Sequence, residues 1–272
     1  MNPERGGEFR VAERGMSLVE LLVAMVVGLL MMAYIAQVLI SANSAYALQE
    51  ELARIQERGR FAAQFVAQGV RRADNWGCGG TKDKVTDTAY AGNLGTEEAI
   101  TADDANDYDP AAATASPDPP AADRIVIRGI DPGASFSCDV AKVGVTVSGS
   151  GFVEETVFTV EDADGDGEPG LYRQVTNSAT TKNELVRGIE NLQARFGEDT
   201  DGDGSVNYYV PANNVSNWSD VLSVRVAIVA RTRSDLISSP GSYSLFGTQY
   251  NPADERGRRV FTTTIGLRNR LQ

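Results

Sequence analysis

A chain of 272 residues, 42% hydrophobic and 23% charged, has room for an apolar anchoring segment and one sizeable folded region. Its net charge of −12 argues against nucleic-acid binding, which needs clustered Lys and Arg on phosphates. With no histidine and only two cysteines, it lacks Ser-His-Asp and Cys-His machinery, imidazole metal sites and a four-cysteine zinc site. No phosphate loop or nucleophile elbow stands in for these, so no catalytic residue is assigned and no enzyme is expected.

The first element is apolar. Leu21 to Ile40 is twenty residues without a charge, interrupted only by Gly28, Tyr34 and Gln37. As a helix it covers roughly 30 Å, the thickness of a bilayer core. One carboxylate, Glu20, stands at its front edge. A lone acid beside hydrocarbon is costly and points to a partner, although an acid at headgroup level can also snorkel. The stretch "SANSAYA" at 41–47 scans as the cleavage site of a secretory signal, but the helical pattern continues through it.

Beyond it, Leu48, Leu52, Ile55, Ala62, Phe65 and Gly69/Val70 recur at threes and fours, apart from the step across Arg58–Gly59. Glu50, Glu51, Arg54, Glu57, Arg58 and Arg60 lie between them. No proline occurs between Glu4 and Asp109, so nothing forces a break. The pattern predicts one helix over 16–72, on the order of 80 Å long. It is membrane-spanning over about 18–40 and amphipathic over 41–72, and follows a short leader at 1–15.

Residues 73–123 read as a variable loop region, rich in Ala, Asp, Thr and Pro and partly disordered. Cys78 sits before the Ala-, Asp-, Thr- and Pro-rich stretch at 81–123 and Cys138 after it. In an exported protein the simplest use of two cysteines is one disulfide, here worth roughly 4 kcal/mol in loop entropy. Residues 124–272 carry strand signals at 124–130, 152–160, 170–175, 191–197, 219–231 and 258–269. Leu185 and Ile189 have helical spacing, so a turn of helix before residue 190 fits equally well. The expected architecture is α+β: a long N-terminal helix laid across an antiparallel sheet.

Two acidic segments, "DADGDGE" at 162–168 and "DTDGDGS" at 199–205, place Asp at alternate positions with Gly after the second and third. Asp162, Asp164 and Asp166 form one set and Asp199, Asp201 and Asp203 the other. The pattern matches the first half of an EF-hand loop, where Asp oxygens meet Ca²⁺. The closing glutamate is absent, since the twelfth positions are Arg173 and Val210. Two readings stay open, a strand-to-strand calcium loop and a solvated Asp-Gly turn.

"RGMSLVELLVAMVVG" at 14–28 resembles the class III signal of type IV pilins and pseudopilins. "YALQEELARIQERGRFAAQFVAQGVRRADNWGCGG" at 46–80, "GIENLQARFGEDTDGDGSVNYYV" at 188–210 and "VFTTTIGLRNR" at 260–270 are similar to the PilW family of minor pilins. The resemblance implies a pilin fold, cleavage after Gly15 by an inner-membrane prepilin peptidase, and N-methylation of the new terminus at Met16. It also implies that Glu20 meets the N-terminal amine of a neighbouring subunit during assembly. Such an amine would offset the carboxylate's desolvation and fix the register.

The chain departs from the family in two places. It has Gln37 where major pilins commonly carry a helix-breaking proline, which leaves Gly28 as the weak point. Its leader mixes Glu4, Glu8 and Glu13 with Arg5, Arg10 and Arg14, so orientation rests on the motif rather than on charge. The expected role is a minor pilin in pilus initiation at the inner membrane and at the pilus tip. The chain would be single-pass, with its globular part in the periplasm. Its partners would be other minor pilins, the major pilin and a large tip adhesin. The alternatives are a J-like pseudopilin of type II secretion and a calcium-dependent binding module at a tip.

Overall fold

The computed structural model describes residues 16–78, 82–87, 97–103, 121–131, 133–141, 144–177, 180–233 and 242–271. The leader at 1–15, with Gly15, and most of the predicted loop lie outside them. The chain divides into two compact units, one ending at Gln49 and the other running from Glu50.

Helix α1 spans Leu18–Val70. In the first unit, every described side chain from Met16 to Ser41 is exposed, including the large apolar Leu, Val, Ile and Met residues. This segment is long and apolar enough to cross a membrane. Neither Gly28 nor Gln37 interrupts the helix. The i→i−4 ladder needs only N–H and C=O groups, and both residues supply them.

In the second unit α1 buries Ile55, Gly59, Ala62, Val66, Ala67 and Val70. This corrects the predicted stripe at two points. Phe65 stays at the rim and Val66 with Ala67 takes its place, while Leu52 is exposed. The irregular step at Gly59 is closed by packing: a Cβ there would lie 2.0 Å from the Phe261 ring. At Gly69 a Cβ would lie 2.4 Å from the Phe158 ring. Each glycine lets the helix backbone approach a phenylalanine projecting from a sheet.

Two larger antiparallel sheets receive the helix. One holds β2 (Ile100–Asp103), β3 (Arg124–Ile130), β6 (Val153–Glu161), β7 (Gly170–Thr176) and β8 (Thr180–Arg187), in the order β2-β3-β6-β7-β8. The other holds β9 (Ile189–Glu198), β10 (Tyr208–Val210), β11 (Val221–Arg231) and β14 (Arg258–Gly266), in the order β10-β9-β11-β14. Alternation sets the inner face of this second sheet. Leu192, Ala194 and Phe196 on β9 and Val224, Val226 and Ile228 on β11 are buried with Ile55, Ala62 and Val66 of the helix. Fully burying one such side chain is worth about 1.5–3 kcal/mol.

The expectation of one sheet is therefore replaced by several. A third sheet of β1 (Val85–Asp87), β4 (Phe136–Ala141) and β5 (Gly144–Gly149) includes a parallel pair, β1 with β5. Two short strands, β1 and β2, thus form inside the segment read as loop. The Asp87 carboxylate fastens β1 by accepting from the backbone N–H groups of Gly151, Phe152 and Val153 at 2.6–2.7 Å. The helical turn weighed before residue 190 is strand β8. Gly188, at φ 74°, turns the chain from β8 into β9, a conformation glycine adopts without a Cβ penalty. A hairpin of β12 (Tyr243–Leu245) and β13 (Thr248–Tyr250) covers Ala227 and Val229 on the outer face of β11. That is why β11 is buried on both faces.

Cys78 and Cys138 are disulfide-bonded, with Cα atoms 6.3 Å apart, joining the segment after α1 to β4.

The packing at Gly59 yields a prediction. Gly59→Ala gains helix propensity but forces a methyl into the Phe261 ring, so a net loss of about 1–3 kcal/mol is expected in chemical denaturation. Adding Phe261→Ala should remove the clash, making the double variant less destabilised than the two single losses summed. Strict additivity would mean that the contact does not carry the cost.

Candidate functional site

The residues singled out by the sequence fall into two groups, the front of α1 and the two Asp-Gly turns. Met16 and Glu20 stand at the start of α1, and both are exposed. Glu20 is the one acid of the first turn, where the helix macrodipole favours a carboxylate. The backbone N–H of Leu21 donates to the Ser17 carbonyl at 3.1 Å, so the helical bonding begins at Ser17.

Both Asp-Gly segments are turns between strands, the first joining β6 to β7 and the second β9 to β10. Each brings three carboxylates together, one oxygen apiece within 4.8 Å of the others. Arg173 and Val210, where an EF-hand would carry its closing glutamate, lie instead on β7 and β10.

The turns differ in how their charge is handled. In the first, Asp162 accepts from Gly167 N–H at 3.0 Å and Asp166 from Glu168 N–H at 2.8 Å. The Arg187 guanidinium enters the cluster, paired with Asp164 and lying 3.3 Å from Asp166. Burial pushes the Asp164 carboxyl up, but the Arg187 charge together with hydrogen bonds from Arg187 and the turn's backbone outweighs it and holds that group below the usual range. One oxygen of Asp162, Oδ1, is buried without a hydrogen-bond partner. The exit of the turn is clamped to the fold. Glu168 pairs with Arg58 of α1 at 3.2 Å and with Arg233 at 3.3 Å, and the Gly167 carbonyl accepts from Arg231.

Among the described residues no such cation enters the second turn. Asp199 accepts from Gly202 N–H at 2.7 Å and Gly204 N–H at 2.8 Å, and Asp203 from Ser205 N–H at 2.8 Å. Asn207 donates to Asp201 at 3.3 Å and accepts from Thr200 N–H at 2.7 Å. Desolvation pushes Asp199 up, but the N–H groups of Gly204 and Gly202 prevail and hold its carboxyl below the usual range.

Sequence reasoning missed both Arg187 and Asn207. Arg187 reaches its turn from the neighbouring strand β8, which only strand pairing reveals. Asn207 was findable, as the polar ninth position of the twelve-residue spacing that begins at Asp199.

Two family matches bear on these residues. Residues 157–269 match the family described as Type IV Pilus-assembly protein W, which takes in both turns. Residues 10–36 match the Prokaryotic N-terminal methylation motif, which takes in Gly15, Met16 and Glu20. No curated protein matches the chain. Among solved structures, the Type IV-like pilin TTHA1219 from Thermus thermophilus is similar at 13% identity and a TM-score of 0.41. The alignment covers 83% of this chain and all of that one. At that score the functional reading rests on the two family matches.

The second turn gives an acid-stability prediction. A carboxyl whose folded pKa is depressed contributes stability that is present above its unfolded value and lost as pH falls through the folded one. Asp199→Asn should therefore be less stable than wild type at pH 7. The gap should close below about pH 4, where carboxyls of the unfolded chain protonate. Denaturant midpoints at the two pH values measure it, and a gap that stays constant would contradict the assignment.

Proposed function

We propose, for a chain that belongs to the PilW family of type IV pilus-assembly proteins, the role of a minor pilin that joins other pilin subunits at the inner membrane to initiate the filament. One observation carries the reading. The segment from Met16 through the start of α1, which carries Glu20, exposes large apolar side chains on every side up to Ser41. Such a surface needs lipid or the helices of other subunits around it. The methylation motif covers this same stretch.

The chemistry follows from the order of events. Before assembly the apolar helix sits in the bilayer, with the unit from Glu50 onward on the periplasmic side. The prepilin peptidase cuts after Gly15 and methylates the Met16 amine. The freed amine of one subunit then pairs with Glu20 of its neighbour. That pairing removes an unpartnered carboxylate from the apolar zone and fixes the axial step between subunits. The role is structural, and the residues assigned to it need no cofactor. A J-like pseudopilin of type II secretion would use the same front end. The PilW match over 157–269 favours the pilus reading.

A calcium ion at Asp199, Asp201 and Asp203 belongs to the same proposal, as a means of rigidifying a filament-borne domain. Support comes from three convergent carboxylates with no guanidinium among them, in contrast to the turn filled by Arg187. When bound, the ion would offset their mutual repulsion.

Two tests follow. Glu20→Ala should remain in the membrane, because the span becomes more apolar, yet lose co-assembly with the other subunits. Piliation at wild-type level by this variant would refute the pairing role. For calcium, millimolar ion should raise the melting temperature of the full chain in detergent micelles. Asp201→Ala should abolish the rise and Asp164→Ala should not. An equal response in both variants, or none in wild type, would reject the site.

A further inference from the structure

The outer face of the second sheet carries a row of side chains that the assembly reading leaves unused. Arg195 on β9 lies directly across from Arg225 on β11, and Arg225 lies directly across from Thr264 on β14. Residues opposite one another share a face, with Cβ atoms about 5 Å apart. Two arginines in that relation repel, and like charges directly opposite destabilise a sheet. In a chain of net charge −12, many of whose described arginines pair with acids, neither forms an ion pair among the described residues. Only Thr264 accepts from Arg225, at 3.4 Å from Nε.

Each guanidinium is instead laid on a ring. Arg225 stacks over Tyr209 with its Cζ 4.1 Å from the ring centre, and Arg195 over Phe246 at 5.3 Å. Both rings are placed with some care. Tyr209 passes over Gly197, where a Cβ would come within 2.9 Å of its ring, and its hydroxyl meets the Ser223 hydroxyl at 2.9 Å. Phe246 sits in the β12–β13 turn at φ 46°, a strained conformation for an aromatic residue. Stacking holds the two planar forks and leaves their N–H edges to accept an anion.

The row ends at an open edge. Strand β14 closes the order of its sheet, and no described strand pairs with its outer side. From Val260 to Leu267 it carries no charge, and the exposed Arg259 and Arg268 flank that run. Natural edges are usually blunted by charge or proline, so a nine-residue strand without either along its centre is a template for strand addition. A residue added beside Thr264 would lie two strand spacings, about 10 Å, from Arg225. Arg225, whose Nε meets Thr264 across the first spacing, would turn its guanidinium from Tyr209 toward the edge, and a glutamate can span the second.

We infer that the β14 edge and the Arg225–Arg195 row together bind an extended acidic segment of a partner protein, which adds as a strand and sets a carboxylate on Arg225, with Arg195 one strand further in adding like charge behind it. Charge selects this occupant over a second copy of the chain, because antiparallel self-pairing of β14 brings Arg259 of one copy toward Arg268 of the other. The inference does not rest on the filament role. It concerns a different face of the fold, and its failure would leave the Glu20 test untouched.

The test uses purified full-length protein in detergent micelles and a fluorescent twelve-residue peptide of alternating Val and Glu, followed by anisotropy. Saturable binding that weakens with salt is expected. Arg225→Gln should weaken it about tenfold and Arg195→Gln less, with Arg225→Lys falling between wild type and Arg225→Gln because the charge is kept and the fork lost. Unchanged melting temperatures in the variants would show that the fold is intact. A matched Val-Lys peptide should not bind. Absence of Val-Glu binding, or binding indifferent to both arginines, would overturn the inference. Equal competition by inorganic phosphate would overturn the strand-addition part. Sedimentation showing dimers that the peptide dissolves would assign the edge to a second copy instead.

Discussion

The close approach of helix α1 to two sheets is the constraint on which the folded unit depends. Gly59 admits Phe261 and Gly69 admits Phe158, so the helix backbone lies against phenylalanines from both sheets. Ile55, Ala62, Val66 and Val70 fill the space between. Interiors packed at crystal-like density do not absorb an extra methylene without strain. The described side chains of the same helix from Leu18 to Ser41 are exposed. Its sequence therefore serves two solvents: apolar all round where lipid or neighbouring helices must surround it, and apolar on a single stripe where its own sheets do.

Polar locks fix the end of that helix and the joints between sheets. Asp74, at φ 61°, accepts from the Trp76 indole at 2.6 Å and from Arg270 at 2.7 Å. Asn269 donates to the carbonyl of Ala73 at 2.7 Å. Asn269 and Arg270 thus fasten the turn that follows α1. Between the sheets, the Asp123 carboxylate accepts from Ala194 N–H at 2.7 Å and the Asp123 N–H donates to Leu192 at 2.7 Å. On the far side, Glu190 is buried against Arg258 at 2.8 Å, and Arg258 also grips Asp254. Removing one member of such a buried pair typically costs 3–5 kcal/mol, because the other charge is stranded. These contacts link β9, β14 and the segment before β14 across long stretches of chain. They help hold together the compact unit that runs from Glu50.

What the sequence made legible follows from the range of the interactions. Strands β3, β6, β7, β9, β11 and β14 were readable because alternation is a local signal. The helix was readable from period and the absence of proline, but its stripe was placed one residue off at Phe65. The step at Gly59 looked like a flaw in the pattern until Phe261, some two hundred residues later, filled it. Strands β1 and β2 are three and four residues long and are made by their pairing rather than by propensity. The Asp clusters were visible as spacing, yet what distinguishes them is Arg187, delivered by β8. The Arg195–Arg225–Thr264 row exists only in the strand register, so no single segment could have announced it.

The claim that joins these parts is that the front of α1 is matured into an assembly element. Mass spectrometry of the N-terminus of this protein, recovered from sheared filaments and from membranes, tests it most directly. The account predicts a chain that begins at Met16 and bears one added methyl group on its terminal amine. A chain that keeps residues before Met16 in the filament would contradict it. So would one that begins after the 41–47 stretch, with the apolar helix removed.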